Sequence, residues 1–228
     1  MPKKCPVCRS HVVKQMISAG NPSTALRAGK PGTALICSNR QCPAKNLKII
    51  EYLVNAFEIY TIGPKIIERF KDEGLITDAA DIFTLKKEDI QSLERFGEKS
   101  AENIIASIDQ HRKISLAKFI YALGILHVGE ETAIDLAENF GSLEKLTKAS
   151  LEDIDSIPNI GGVVAKSVFE YFKDRHNLQF IDRLIKNGVV IKHQKPRTKN
   201  QTGPLAGKKV VVTGTLESMS RDEAKEAV

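Results

Sequence analysis

LERFGEKSA, residues 93–101, returns 64 positions later as IPNIGGVVA, residues 157–165. The lead-ins repeat at the same offset, Glu88-Asp89-Ile90-x-Ser92 against Glu152-Asp153-Ile154-x-Ser156. Agreement at one offset over this length signals an internal duplication. Each unit holds a second turn of the same kind, Tyr60-Thr61-Ile62-Gly63 in the first and Leu126-His127-Val128-Gly129 in the second. The four glycines, Gly63, Gly97, Gly129 and Gly161, are spaced by 34, 32 and 32 residues. Each follows an apolar residue (Ile62, Phe96, Val128, Ile160) and precedes an amphipathic helical segment. Four positions after three of them stands an alanine, Ala101, Ala133 or Ala165, with Ile67 at that place in the first.

Each part of this pattern has a mechanical reason. The apolar residue anchors a turn in the core, the glycine lets a backbone approach closely and leaves N–H groups exposed, and the alanine permits close helix packing. The pattern resembles that of helix-hairpin-helix DNA-binding motifs. A helix start with free N–H groups attracts a phosphate without any lysine, which implies weak sequence preference. The candidate DNA-binding residues are Gly63, Gly97, Gly129 and Gly161, with Gly162 beside the last. Lys65, Arg95, Lys99 and Lys166 reinforce the first, second and fourth turns. Glu130 and Glu131 crowd the third, which is expected to be mainly a packing element. Many such motifs carry another glycine two positions earlier, where this chain has Thr61, Arg95, His127 and Asn159. The rival reading is an ordinary helical bundle with glycine-terminated turns; four turns in register favour DNA.

The distribution of charge supports a nucleic-acid partner. The chain has 228 residues and a formal net charge of +6. Residues 1–50 carry nine Lys or Arg and no Asp or Glu, and residues 192–204 add Lys192, Lys195, Arg197 and Lys199 without an acid. Residues 205–228 are balanced, so the stretch 51–191 is left at −7. Side-chain attraction for phosphate is therefore concentrated at the N-terminal end and in the 192–204 segment. No apolar run approaches the roughly 18 to 20 residues that span a bilayer, and the sequence opens on Pro2-Lys3-Lys4-Cys5 rather than on an apolar signal core. A cytoplasmic monomer away from membranes is expected.

The four cysteines, Cys5, Cys8, Cys37 and Cys42, form a C-x2-C pair and, 28 residues on, a C-x4-C pair. Two close thiolate pairs joined by a loop suit tetrahedral zinc, and Cys5-Pro6-Val7-Cys8 has the short knuckle form in which amides also point at sulfur. A disulfide reading needs an oxidising compartment that nothing here supports. His11 is expected on the surface, because four cysteines complete the shell. Residues 18–33 read as a loop. Arg9, Lys14, Arg27, Lys30, Arg40, Lys45 and Lys48 surround the site, which stays positive even after four thiolates and one zinc ion contribute −2.

Further along, Ser150-Leu151-Glu152-Asp153 reads as a capping box, Phe119, Ile120 and Leu123 as a buried helical stripe, and Gly141 as a helix C-cap. Residues 192–204 read as a linker. Residues 205–216 read as a turn, a buried strand and a second turn, and Ser220-Arg221-Asp222-Glu223 opens a helix. So short a piece cannot bury a core.

The order of these parts resembles the C-terminal half of NAD-dependent DNA ligases. LERFGEKSAEN (residues 93–103), YALGILHVG (residues 121–129) and LAGKKVVVTGTLESMSRDEAKE (residues 205–226) carry the likeness. The resemblance implies a mainly α protein: a four-cysteine zinc finger at 1–50, a tandem helix-hairpin-helix domain at 51–191, a basic linker at 192–204 and, at 205–228, the incomplete α/β start of a BRCT domain. It implies a hold on nicked or duplex DNA during replication and repair. In that family a lysine in Lys-x-Asp-Gly takes AMP from NAD, with magnesium, and passes it to the 5′ phosphate at a nick. No such lysine is found here, so NAD and magnesium belong to the parent ligase and not to this chain. Lys71-Asp72-Glu73-Gly74 has its acid misplaced and reads as a helix end. Gly97-Glu98-Lys99-Ser100 mimics the end of a P-loop, with Ser92 where the upstream glycine is required. No catalytic residue is assigned. The alternative is a stand-alone, non-catalytic DNA-binding or adaptor protein. A zinc-containing nuclease ranks last for want of a carboxylate cluster to hold magnesium.

Overall fold

The computed structural model describes residues 2–17, 32–39 and 42–192. The segment expected to open a BRCT domain, the linker beyond Lys192, and Arg27, Lys30 and Arg40 lie outside those residues. Strands β1 (Val12–Ile17) and β2 (Gly32–Cys37) pair antiparallel, from Val12 opposite Cys37 to Ile17 opposite Gly32. Gly32 and Thr33 thus belong to a strand rather than to the loop expected over 18–33, because cross-strand pairing with Ile17 and Met16 satisfies their backbone groups.

Helix α1 (Pro43–Ala56) starts on Pro43, whose missing N–H costs nothing in a first turn. It buries Ile50, Leu53 and Val54. It also runs through residue 50, so the cysteine-bearing segment and the helical domain share one rod. There follow α2 (Pro64–Asp72), a 3-10 helix (Ala79–Thr84), α3 (Lys87–Gln91) and α4 (Glu98–His111). The second unit is built in parallel from α5 (Leu116–Ala122), α6 (Glu130–Phe140), α7 (Leu143–Lys148), α8 (Leu151–Asp155) and α9 (Gly162–Lys173). Helix α10 (Arg175–Lys186) closes the domain. Gly141 ends α6 at φ 68°, and Ser150 and Asp153 form the expected capping box. Among the described residues no helix is long and apolar enough to cross a membrane.

One apolar cluster runs through both units, from Ile50 to Val189. Phe119, Ile120 and Leu123 are in it. Ala101, Ala133 and Ala165 are wholly buried, with Ile67 at the matching place. A larger side chain at any of these alanines would overpack the core, at about 1–3 kcal/mol.

The ends of the tandem are tied together. Strands β3 (Lys113–Ser115) and β4 (Val190–Lys192) pair in parallel, with Ile114 opposite Ile191. Arg183 on α10 donates to Asp78 and, at 2.6 Å, to Asp81, the two carboxylates that cap the 3-10 helix of the first unit. Asn187 donates to the Ala80 carbonyl at 2.8 Å, and the Arg112 guanidinium donates to the carbonyls of Asn187 and Phe83. The closing helix α10 is thus latched onto the 3-10 connector of the first unit.

Candidate nucleic-acid interface and metal centre

Apart from α1 and α3, which start on Cys42 and Lys86 without a side-chain cap, the described helices start in two ways. Ser115, Ser142, Ser150 and Asp174 cap α5, α7, α8 and α10 with their own side chains, and Asp78 caps the 3-10 helix. The four helices that follow the repeated turns start on bare glycines instead: Gly63 before α2, Gly97 before α4, Gly129 before α6 and Gly161 before α9. No side chain caps the N–H groups at these helix starts, although Pro64 has none to offer and those of Ile66, Ser100 and Val164 turn back to the glycine carbonyls. All four glycines have extended backbone, φ between −93° and −83°, which any residue adopts. A Cβ added at any of them would meet no atom within 4 Å. Nothing inside the fold therefore demands glycine, and its bare profile matters only to something approaching from outside.

The anchors sit as the pattern predicts. Ile62, Val128 and Ile160 are buried, and half-buried Phe96 lies 5.9 Å, ring to ring, from Phe70. Gly97, Gly129, Gly161 and Gly162 are exposed and Gly63 is half-buried. Lys65, Arg95, Lys99 and Lys166 are exposed. Lys166 lies 3.8 Å from Glu170, with both side chains mostly in solvent, a contact too weak to occupy it. At the third turn Glu130 and Glu131 fill the first turn of α6 and are exposed.

The missing second glycine has a structural explanation. Arg95, His127 and Asn159, each two positions before the cap glycine, have φ of 72°, 67° and 69°. These are left-handed turns that glycine would fit without strain, yet they carry polar side chains exposed to solvent. The first turn differs: its left-handed residue is Glu58, at φ 61°, and Thr61 is not left-handed. Sequence reasoning treats these positions as departures because the strained conformation belongs to the turn and leaves no trace in the side chain.

The four sulfur atoms converge, all lying within 4.8 Å of one another. Cys5 and Cys42 approach to 3.9 Å and Cys8 and Cys37 to 3.4 Å. A tetrahedron of Zn–S bonds has sulfur edges of about 3.8 Å, so the cluster fits a zinc-sized ion. A tight turn builds the knuckle: the Cys5 N–H donates to the Ser10 carbonyl at 2.8 Å, and Arg9, at φ 58°, donates back to the Cys5 carbonyl at 2.9 Å. The N–H groups of Cys8 and Val7 hold the Cys5 thiol below its ordinary range, and the Ser10 hydroxyl and N–H bring Cys8 down to about 6. Burial pushes Cys37 up to about 11. Backbone and hydroxyl donors that favour the charged form of two sulfurs, beside a desolvated third, are what a bound cation would complement. Cys42 is the N-cap residue of α1, so the fourth cysteine of the cluster is also the residue on which the first helix starts. His11 is exposed and outside the cluster; its carbonyl accepts from Ser38. Of the basic residues nearby, Arg9 and Lys14 are exposed, while Lys45 donates to the Cys37 carbonyl and Lys48 pairs with Glu51 at 2.6 Å.

Neither sequence that mimics a nucleotide motif forms a site. Lys71 donates to Asn46 at the end of α2, and Gly74, at φ 71°, follows that end. Glu98, beside Lys99, pairs with Lys87 at 2.8 Å.

The architecture agrees with the family comparisons. Residues 57–110 match the model of the SAM-like helix-hairpin-helix tandem, and residues 118–181 match that of the helix-hairpin-helix motif. The two matches divide the domain where the sequence repeat divides it. A DNA ligase of Desulfosudis oleivorans is 40% identical over 100% of this chain, and one of Desulforudis audaxviator is 40% identical over 98%. A DNA ligase of Nitrosococcus oceani is 39% identical over 99%. The chain is homologous throughout to part of a DNA ligase. It spans about a third of the length of these curated relatives, 32%, 31% and 32% respectively. At that coverage the matches take in the four-cysteine segment as well as both helix-hairpin-helix units.

Proposed function

We propose that this chain is the DNA-gripping portion of an NAD-dependent DNA ligase, the class of enzyme that seals single-strand nicks in duplex DNA. The observation that carries the reading is the choice of bare glycine at the four helix starts after the repeated turns, in a chain that caps other helices with serine or aspartate. The homology to ligases supports it. Main-chain N–H groups at Gly63, Gly97, Gly129, Gly161 and Gly162 bond to sugar-phosphate oxygens, with the helix dipole favouring the anion. Lys65, Arg95, Lys99 and Lys166 add charge at the first, second and fourth hairpins. Such contacts hold the duplex without reading bases, and they explain how a region of net charge −7 binds a polyanion. Zinc at Cys5, Cys8, Cys37 and Cys42 fixes the basic N-terminal segment against the helical domain. Adenylation, with its NAD and magnesium, belongs to the rest of such an enzyme.

The test is fluorescence anisotropy of a labelled nicked duplex titrated with the zinc-loaded chain. Binding is expected, with an affinity that falls linearly in log salt. No binding at low ionic strength would overturn the proposal, as would a covalent adenylate formed on this chain from NAD.

Arg95 offers a sharper check. Glycine there relieves about 1–2 kcal/mol of left-handed strain and adds about 0.5–1 kcal/mol of unfolded-state entropy. Arg95→Gly is therefore expected to leave the urea midpoint unchanged or slightly raised. Its affinity should drop several-fold and its salt slope by about one, the signature of a lost phosphate contact.

A further inference from the structure

The first and third hairpins are alike in a respect that the second and fourth do not share. Phe57 and Leu123 are buried; Glu58 and Gly124 follow in left-handed conformation at φ 61° and 64°; Ile59 and Ile125 are buried. Next come Tyr60 and Leu126, exposed by 77% and 57%, and then the anchors Ile62 and Val128 and the cap glycines Gly63 and Gly129. At the same place, three residues before the glycine, the second and fourth hairpins have Glu94 and Pro158.

These two hairpins adjoin. Lys118 on α5 pairs with Glu58 at 2.7 Å, and the Tyr52 hydroxyl on α1 donates to the Tyr121 carbonyl at 3.0 Å. A cavity of about 340 Å³ between them is lined by Glu58, Tyr60, Lys118, Tyr121, Glu130 and Ile134, which joins the tip of one hairpin to the helix start of the other. The fold does not use the side chains of Tyr60 and Leu126, because large apolar groups left in water add nothing to the core. At the third hairpin coulombic attraction is not what the surface supplies either, since Glu130 and Glu131 flank it and Lys118 is neutralised by Glu58, which leaves Lys65 as the cation of the first.

We propose that Tyr60 and Leu126 form a paired apolar contact on duplex DNA, lying against deoxyribose and base edges between the phosphates held at the neighbouring helix starts. The inference rests on the DNA-binding reading above. Both side chains stand three residues from a bare cap glycine, so they continue the surface that reading assigns to DNA, and apolar side chains in a groove press on sugars and base steps. On this assignment the third hairpin is no packing element. It binds through an apolar tip where its acids make charge unsuitable.

The experiment uses the whole zinc-loaded chain and a labelled nicked duplex at several salt concentrations. Tyr60→Ala with Leu126→Ala is expected to leave the urea midpoint unchanged, to lower affinity about tenfold, and to leave the salt slope as it was, since no charge is lost. Lys65→Ala should behave oppositely, with a slope smaller by about one. Tyr60→Phe with Leu126→Met should retain binding. Wild-type affinity in the double alanine variant would overturn this proposal alone, and so would a reduced slope. So would sedimentation showing that the pair joins two copies of the chain, with self-association lost in the variant and DNA binding kept. Failure of the wild-type chain to bind any DNA would overturn both readings.

Discussion

Aspartate at Gly97 and Gly161 is expected to strengthen the fold and to abolish the grip on DNA. Both glycines have the extended backbone of ordinary N-caps, at φ −83° and −87°, and an added Cβ meets nothing within 4 Å at either. Aspartate already serves in this role at Asp174, which accepts from the His176 N–H at 2.8 Å. The same bond at positions 97 and 161 would satisfy an orphan donor and place a negative charge at the positive end of the dipole. The gain is a few tenths to about 1 kcal/mol per helix. By that geometry the new side chains would occupy the Lys99 and Val163 N–H groups, next to the glycine N–H groups assigned to phosphate, and the new carboxylates repel it. The double variant should therefore unfold at higher urea concentration, yet bind nicked duplex at least a hundredfold more weakly at low salt. A loss of stability with unchanged binding would mean that the bare glycines serve the fold alone.

The second large effect concerns the metal. In the described part of residues 2–42 only Cys5 and Cys42 are buried apolar residues, while Val7, Val13 and Leu35 are exposed. With no apolar core among its described residues, that segment is expected to depend on a bound ion, and structural zinc supplies about 10–16 kcal/mol of folding free energy in small domains of this type. Cys42→Ser should cost the chain its stoichiometric zinc, measured with a chromogenic chelator. Amides of β1 and β2 should lose hydrogen-exchange protection, while those around Ile104 and Phe119, deep in the helical core, keep theirs. Affinity for DNA should fall as well, since Arg9 and Lys14 lose their fixed positions. A ribbon that stays protected without metal would show that strand pairing alone holds it.

The sequence discloses whatever depends on local chemistry. The glycine period, the buried alanines, the capping box at Ser150 and the convergence of the cysteines are each set by one residue type at one spacing, and the structure places them accordingly. What it hides depends on the turn or on distance. Arg95 and His127 occupy left-handed backbone that their identities argue against. The three-residue strands β3 and β4 are too short for alternation to register, and their pairing joins segments far apart in the chain. Arg183 looks like any surface arginine until α10 brings it against Asp78 and Asp81. The exposure of Tyr60 is hidden as well, because its place in the repeated turn says nothing about which way its ring faces.

The latch between α10 and the 3-10 connector bears on how a duplex would be chosen. Because β4 lies along β3 and Arg183 clasps the opposite repeat, one pair of hairpins cannot drift from the other without breaking several bonds. Their separation is a dimension of the protein, like the gap of a caliper. A caliper tests the width and curvature of what it closes on and takes no account of the letters written there.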